Sequence, residues 1–194
     1  MTYPPDFKHP EAKARVAMIT AKVIAVLAPG RRTVVQAGGC SGLWPLALAQ
    51  HFRRVITYEP EPVNFRYLQK NTQDVPNILA HNCGLGDVPR LVGLTRPKER
   101  AGLWRVDGEG DIEIKTLDDE LDFITNLDAL VLDVEGSELA TLKGAEQTIA
   151  ANHPLIWFEY LHNKSAIAGF LAEQGYCPPI SGIQHDCYSV HASQ

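Results

Sequence analysis

The sequence predicts an α/β fold: an open, mostly parallel sheet with helices on both faces, in three layers. Three observations predict it. The β-branched run Thr33–Ala37 enters a glycine-rich turn, Gly38-Gly39-Cys40-Ser41-Gly42, that opens a helix. A second apolar run then ends in a lone carboxylate, Glu59. Downstream, βα units continue, interrupted by a β-rich insertion after the third strand and closed by a hairpin. A glycine turn after strand one and an acid after strand two are how a Rossmann-like sheet makes a nucleoside site. Right-handed crossovers make such a chain a layered sheet.

The elements follow in order. Residues 1–30 read as an extended arm, folded over a cleft, and a helix. Pro10 suits the first helical position, Pro29-Gly30 stops the helix, and Val16, Ile19, Val23, Val26 and Leu27 form its buried face. Strand one is Thr33–Ala37. Ser41–Phe52 is a crossover helix with Pro45 in its first turn, where the missing N–H is harmless. Val55–Tyr58 is strand two. A helix starts at Pro60-Glu61-Pro62 with Phe65, Tyr67 and Leu68 inward. Ile78–His81 is strand three, leading into the turn-rich loop Asn82–Asp87. In the insertion, residues 88–115, RLVGLT, GLWRV and DIEIK predict short antiparallel strands. Leu117–Ile124 is a short helix and Leu127–Leu132 a strand ending at Asp133. Ser137–Ala151 is an amphipathic helix with Leu139, Leu142, Ala145 and Ile149 inward. Pro154–Tyr160 is strand five. Lys164–Gln174 is a helix closed by Gly175. Tyr176–Ile180 and Cys187–Val190 form the final hairpin.

The bulk numbers bound the class. With 194 residues, 45% apolar and 21% charged, the chain reads as one globular domain, 1–194. A formal net charge of −5 argues against a nucleic-acid or membrane-surface binder. The basic clusters Arg31/Arg32, Arg53/Arg54 and Arg96/Lys98/Arg100 read as solvated loops. Cys40, Cys83, Cys177 and Cys187 show no metal-binding spacing, although Cys177 and Cys187 can face each other across the last hairpin. No signal segment or membrane-length apolar run is evident, so the expected setting is the cytoplasm with reduced thiols.

Ligands of such sheets bind beyond the carboxyl ends of the strands. That places Gly38–Gly42, Glu59, Asn82–Asp87, Asp133–Glu135 and Glu159–His162 on one rim. The motifs there are VVQAGGCSG, ITYEPEPVNFRYLQKN, ILAHNCGLGD, TLDDEL, LVLDVEGSELATLKGAE and PLIWFEY. In order and spacing they resemble the FkbM-type class I methyltransferases. D-V-E-G-x-E before L-x-x-L-K-G-A is the most specific part. The resemblance implies a seven-stranded sheet with an antiparallel last strand, S-adenosylmethionine as cofactor, and methylation of a hydroxyl on a small molecule or sugar. Two positions depart from the family. Its usual acid at the end of strand one, which contacts the methionine part of the cofactor, is Gln36. Its frequent lysine before the D-V-E-G aspartate is Leu132.

Each candidate residue has a chemical reason and a plainer alternative. Gly38, Gly39, Cys40 and Gly42 would form the cofactor loop, glycine being needed for positive φ and because a Cβ would block the ligand; the alternative is a bare turn. Glu59, followed by Pro60, would accept both ribose hydroxyls, or it balances charge at a helix start. The resemblance places Gln36 at the methionine end and Cys83, Gly84 and Asp87 near the adenine. Cys40 reads as a filler rather than a nucleophile. Asp133 would meet both cofactor and acceptor, orienting the acceptor hydroxyl or acting as its base; Glu135 and Glu159 are further catalytic candidates, and His162 could serve as general base. Glu138 suits a helix start and His162 an exposed loop. Asp133, Glu159 and Asn163 offer oxygen ligands for magnesium, although the pattern is loose and no metal site is assigned. Two rivals remain: a non-catalytic binding module, and an NAD-dependent dehydrogenase using the near-miss glycine fingerprint and Tyr160…Lys164.

Overall fold

Alternate residues of a strand point to opposite faces of its sheet, and here both sets are apolar. The computed structural model describes residues 1–5, 7–95, 105–159 and 163–194. Its elements are α1 (Pro10–Leu27), β1 (Thr33–Ala37), α2 (Leu43–Leu48), β2 (Arg54–Tyr58), α3 (Pro62–Thr72), β3 (Ile78–His81), β4 (Gly84–Leu85), β5 (Arg90–Val92), β6 (Leu94–Thr95), β7 (Arg105–Val106), β8 (Ile112–Lys115), a 3-10 turn (Asp118–Phe123), β9 (Leu127–Leu132), α4 (Glu138–Lys143), α5 (Glu146–Asn152), β10 (Leu155–Glu159), α6 (Lys164–Glu173), β11 (Ile180–Ser181) and β12 (Asp186–Ser189). The main sheet has seven strands in the order β11-β12-β10-β9-β1-β2-β3. The strands from β10 to β3 are parallel, and β12 runs antiparallel to β10 and β11.

Val34, Val55, Ala129, Val131 and Trp157 face α1 and α2. Ile56, Tyr58, Leu130, Leu132 and Phe158 face α4, α5 and α6 through Leu142, Ile149, Ile167 and Leu171. This is the three-layer α/β arrangement the sequence predicts. The insertion forms β5 against β8 and β6 against β7, both antiparallel, and β4 joins β8 in parallel. Part of GLWRV lies outside the described residues.

Four local expectations need correction. The face of α1 is rotated: Ala17, Thr20, Ala21, Ile24 and Ala25 are buried, whereas Ile19 and Val26 are 53% and 68% exposed. Small side chains let α1 approach α2 and the sheet closely, and that packing outweighs the larger apolar residues of the next face. In α3 the inward residues are Asn64, Leu68 and Thr72, with Phe65 and Tyr67 only half-buried. The crossover helix after β1 covers only Leu43–Leu48. The long helix after β9 is broken at Gly144, where α4 gives way to α5. A Cβ on Gly144 would lie 1.9 Å from the Gly86 carbonyl oxygen, and the Gly144 carbonyl accepts from Asp118 N at 2.9 Å. The break lets the loop after β4 pack onto the helix layer.

The basic pair Arg31/Arg32 also does more than meet solvent. The Arg32 guanidinium pairs at 2.5 Å with Asp128, which is fully buried in β9, and Arg32 N donates to the same carboxylate. All four cysteines are free thiols. Among the described residues no helix is long and apolar enough to cross a membrane.

Gly144→Ala is expected to destabilise the protein by about 1–3 kcal/mol, because backbone cannot move aside cheaply. Gly169→Ala, in α6 with open space around the new methyl, should instead stabilise it by about 0.5–1 kcal/mol. Urea midpoints of the two variants check both signs.

Candidate active site

The strand order reverses between β1 and β9, and the chain leaves both strands at the same edge. Gly38 and Gly39 both donate to the Tyr58 carbonyl, at 3.0 and 2.9 Å, and Asp133 N donates to the Ala37 carbonyl at 3.0 Å. Beyond this edge lies a cavity of about 420 Å³. Its floor is the loop Gly38–Ser41 with Glu59 and Pro60, and one wall is Gly84 and Leu85. The other wall holds Asp133, Glu135, Glu159 and Asp186, while Phe7, Lys13 and Trp44 line it from the N-terminal arm and helices.

Of the two expected reasons for glycine, positive φ holds at Gly38 and Gly42, and close protein packing is a further one. Gly38 has φ +90°, and a Cβ there would sit 1.8 Å from the Asp133 carbonyl oxygen. At Gly39 a Cβ would meet Thr57 Oγ1 at 2.8 Å and Leu68 at 3.0 Å. Gly42 has φ +97° and faces Leu68 and Thr72. Close packing at Gly38 and Gly39, and positive φ at Gly38 and Gly42, already call for glycine without a ligand. Cys40 takes a left-handed φ of 46° without being glycine. Its N–H donates to Glu59 Oε2 at 2.6 Å, and burial with the Glu59 charge pushes its thiol up to about 12, so the sulfur is unreactive.

Glu59 is buried at the cavity floor. Its Oε1 accepts from Glu61 N at 2.9 Å and from Asn64 Nδ2 at 3.4 Å. Burial pushes its carboxyl up to about 7, although the backbone donors pull it down. Thus Glu59 fixes both the glycine loop and the start of α3, where Glu61 caps Asn64 N at 2.7 Å.

Three residues expected at the cofactor turn away from the cavity. Gln36 is fully buried; its Oε1 accepts from Thr57 Oγ1 at 2.5 Å and its Nε2 donates to the Ala37 carbonyl at 3.0 Å. It sits on the α1–α2 face of the sheet, as alternation from Val34 requires. Cys83 packs into the core on the opposite face. Asp87 pairs with Arg90 at 2.6 Å on the surface, which holds its carboxyl below the usual range. Gly84 does line the cavity.

At the far wall, Asp133, Glu135 and Glu159 bring carboxylate oxygens within 4.8 Å of one another. Trp44 Nε1 donates to Asp133 Oδ2 at 3.2 Å, and Trp157 Nε1 donates to Asp186 Oδ2 at 2.9 Å. Burial first, and the neighbouring Asp186 next, push Asp133 up to about 6. Burial and the charges of Asp133, Glu135, Glu138 and Asp186 push Glu159 up to about 7. Glu138 is buried and accepts from Gly136 N at 3.2 Å, bracing the turn after β9. Asn163 is exposed at the start of α6 and does not line the cavity. His162 and Tyr160 lie outside the described residues.

The sequence reading missed Phe7, Lys13, Trp44 and the Gln184–Asp186 corner of the last hairpin. Trp44 carried a signal, being two residues past the glycine turn. Asp186 carried none, because only the antiparallel pairing of β12 with β10, Glu159 opposite Asp186, brings it to the edge.

A seven-stranded sheet with an antiparallel strand beyond β10, and a glycine-floored cavity at its switch point, defines the methyltransferase type of Rossmann-like fold. The family model of the FkbM methyltransferase domain matches residues 37–177, and the chain belongs to that family. It is similar to the structure of an FkbM methyltransferase from Methylobacillus flagellatus KT, with 22% identity and a TM-score of 0.60 over 82% of this chain. The match spans 43% of that protein, so this chain covers less than half its length. Precorrin 8W decarboxylase from Methanobacterium thermoautotrophicum superposes over 99% of this chain and 97% of its own, at 14% identity and TM-score 0.55. A ribosomal protein L11 methylase from Lactobacillus delbrueckii subsp. bulgaricus does so over 98% and 91%, at 12% identity and TM-score 0.53. These likenesses show the fold. No curated protein matches the chain.

The clustered acids make a stability prediction. Glu59, Asp133 and Glu159 have folded values near 7, 6 and 7 against ordinary values of 4.5, 3.8 and 4.5. A raised acid binds protons more readily in the folded state, so stability falls as pH rises from about 4 to about 7. His81 and His191, held low chiefly by burial, act in the opposite direction near pH 6.5. The Glu159→Gln variant isolates one acid: it should melt higher than wild type at pH 8 and equally at pH 4. A thermal-shift series across that range measures the difference.

Proposed function

We propose that the protein is an S-adenosylmethionine-dependent methyltransferase that methylates a hydroxyl oxygen on a small molecule or sugar. The observation that carries this is the cavity itself. It lies at the switch point, has the volume of a small-ligand site, and joins the glycine loop and Glu59 to the carboxylates of β9 and β10. The residues suit the cofactor. An acid-lined cavity favours a sulfonium and an ammonium. The buried Ser41 Oγ, on the glycine loop, has no hydrogen-bond partner among the described residues. Bound there, the cofactor supplies a methyl group on a good leaving group.

The chain's own residues then hold, orient and deprotonate. Glu59 and the loop grip the nucleoside end. Asp133, aimed by Trp44, or Glu159 accepts the acceptor's proton, since carboxyls titrating near 6 and 7 are suited to take one at neutral pH. Alignment of acceptor and methyl contributes the rest.

One observation favours the second reading, a binding module without turnover. Gln36 is neutral and spent inside the sheet, so it offers the cofactor neither charge nor hydrogen bond. The dehydrogenase reading has less support, because β10 ends at Glu159, so strand rather than helix leads into Tyr160.

Calorimetry with S-adenosylmethionine, S-adenosylhomocysteine and NAD separates the readings. Tight binding of the first two is expected, whereas tight binding of NAD alone would reject the methyltransferase. Glu59→Ala should weaken cofactor binding by about 1–3 kcal/mol. Asp133→Asn should reduce turnover, followed by product mass spectrometry over a panel of hydroxylated acceptors, more than it reduces cofactor affinity. If turnover survives both Asp133→Asn and Glu159→Gln, neither carboxylate is the base.

A further inference from the structure

Five carboxylates line the cavity: Glu59, Asp133, Glu135, Glu159 and Asp186. Lys13 is the only lysine or arginine among the described lining residues. We propose that Lys13 binds the α-carboxylate at the amino-acid end of the cofactor. The proposal rests on the reading that the cofactor is S-adenosylmethionine.

The argument starts from charge. S-adenosylmethionine carries a sulfonium, an ammonium and one carboxylate. The acids of the cavity attract the two cations and repel the anion. A carboxylate enclosed without a cation or several donors is costly. Some group near the glycine loop must therefore offset it, and Gln36, the neutral residue at the end of β1, is turned away.

Lys13 is held where that group is needed. It lies in the first turn of α1 with its Nζ 4.6 Å from the centre of the Phe7 ring. Phe7 also lines the cavity and stacks on Tyr3 at 5.1 Å. The arm carrying both rings is tied down by Thr2 N, which donates to Asn71 Oδ1 at 2.8 Å. Asn71 Nδ2 in turn donates to the Ser41 carbonyl at 2.8 Å. One side chain thus fastens the arm to the glycine loop, and Lys13 lines the cavity beside the Phe7 ring of that arm. Its charge is felt at both Cys40 and Asp133, where it favours the ionised form. A ring face orients an ammonium without consuming its three N–H donors, which stay available to an anion.

The test compares two ligands that differ at this end. S-adenosylhomocysteine has the carboxylate, and 5′-methylthioadenosine lacks the whole amino-acid end. Lys13 is exposed on α1, so Lys13→Met, which keeps the aliphatic stem, should leave the fold intact. By calorimetry on the full chain, Lys13→Met should weaken S-adenosylhomocysteine roughly tenfold, the loss of one charged hydrogen bond. Affinity for 5′-methylthioadenosine should change by less than roughly twofold on the same reasoning. Lys13→Arg should restore most of the loss. Added salt should shrink the Lys13-dependent part of the preference for S-adenosylhomocysteine, so that wild type and variant differ less at high salt. Equal weakening of both ligands, or no weakening of either, overturns the assignment of Lys13. Failure of wild type to bind either nucleoside overturns the cofactor reading itself, and the assignment falls with it.

Discussion

The structure depends on how closely β1 and β9 part. Between them the sheet changes direction, and the Asp133 carbonyl lies where a Cβ on Gly38 would be, 1.8 Å away. That approach requires glycine, and it places two strand ends with different chemistry side by side. From β1 comes a loop of backbone N–H groups. From β9 comes a carboxylate. Neighbouring strands carry the pattern outward: Glu59 at the end of β2 and Glu159 at the end of β10 flank the same edge. A cavity follows because two chains leaving adjacent parallel strands in opposite directions cannot cover the space between them.

Most of this was legible along the chain because it is periodic. Runs such as Ile78–His81 and Leu127–Leu132 are apolar and bounded by turn residues, and the strands occupy those residues. The parts that escaped are those decided by approach rather than period. Alanines 17, 21 and 25, not the larger Ile19 and Val26, face the core in α1, because short side chains permit a tighter interface. Gly144 reads as an ordinary helical residue until the Gly86 carbonyl is found against it. For the site, Gly38, Gly39 and Glu59 could be placed from the motif. The inward or outward sense of Gln36 follows from alternation with Val34, but the family resemblance suggested the wrong side. Phe7, Lys13 and Asp186 could not be placed, since each reaches the edge from a terminal segment through tertiary contacts alone.

Burial of charge at this edge is costly, and among the described residues neither Asp133 nor Asp186 is in an ion pair. Elsewhere such a pair forms: Arg32 meets the buried Asp128 at the opposite end of β9. At the cavity, Asp133 and Asp186 are instead held by neutral indole donors, Trp44 and Trp157. An indole can donate one hydrogen bond and carries no charge, so it aims a carboxylate without discharging it. The acids therefore raise one another, and the cavity keeps a high affinity for protons or for another positive charge.

That property couples charge in the cavity to proton transfer. When a positive charge is brought beside Asp133 and Glu159, their ionised forms are favoured and their values fall from near 6 and 7. When the positive charge disappears, the same carboxylates regain their hold on a proton. Methyl transfer from a sulfonium to a hydroxyl removes a cation from the cavity and leaves a proton to be taken up. On the proposed reading, the carboxylates become stronger bases in the step that requires one. The repulsion among Glu159, Asp133, Glu135 and Asp186, which weakens the fold at high pH, would then be the same interaction that draws the acceptor's proton away.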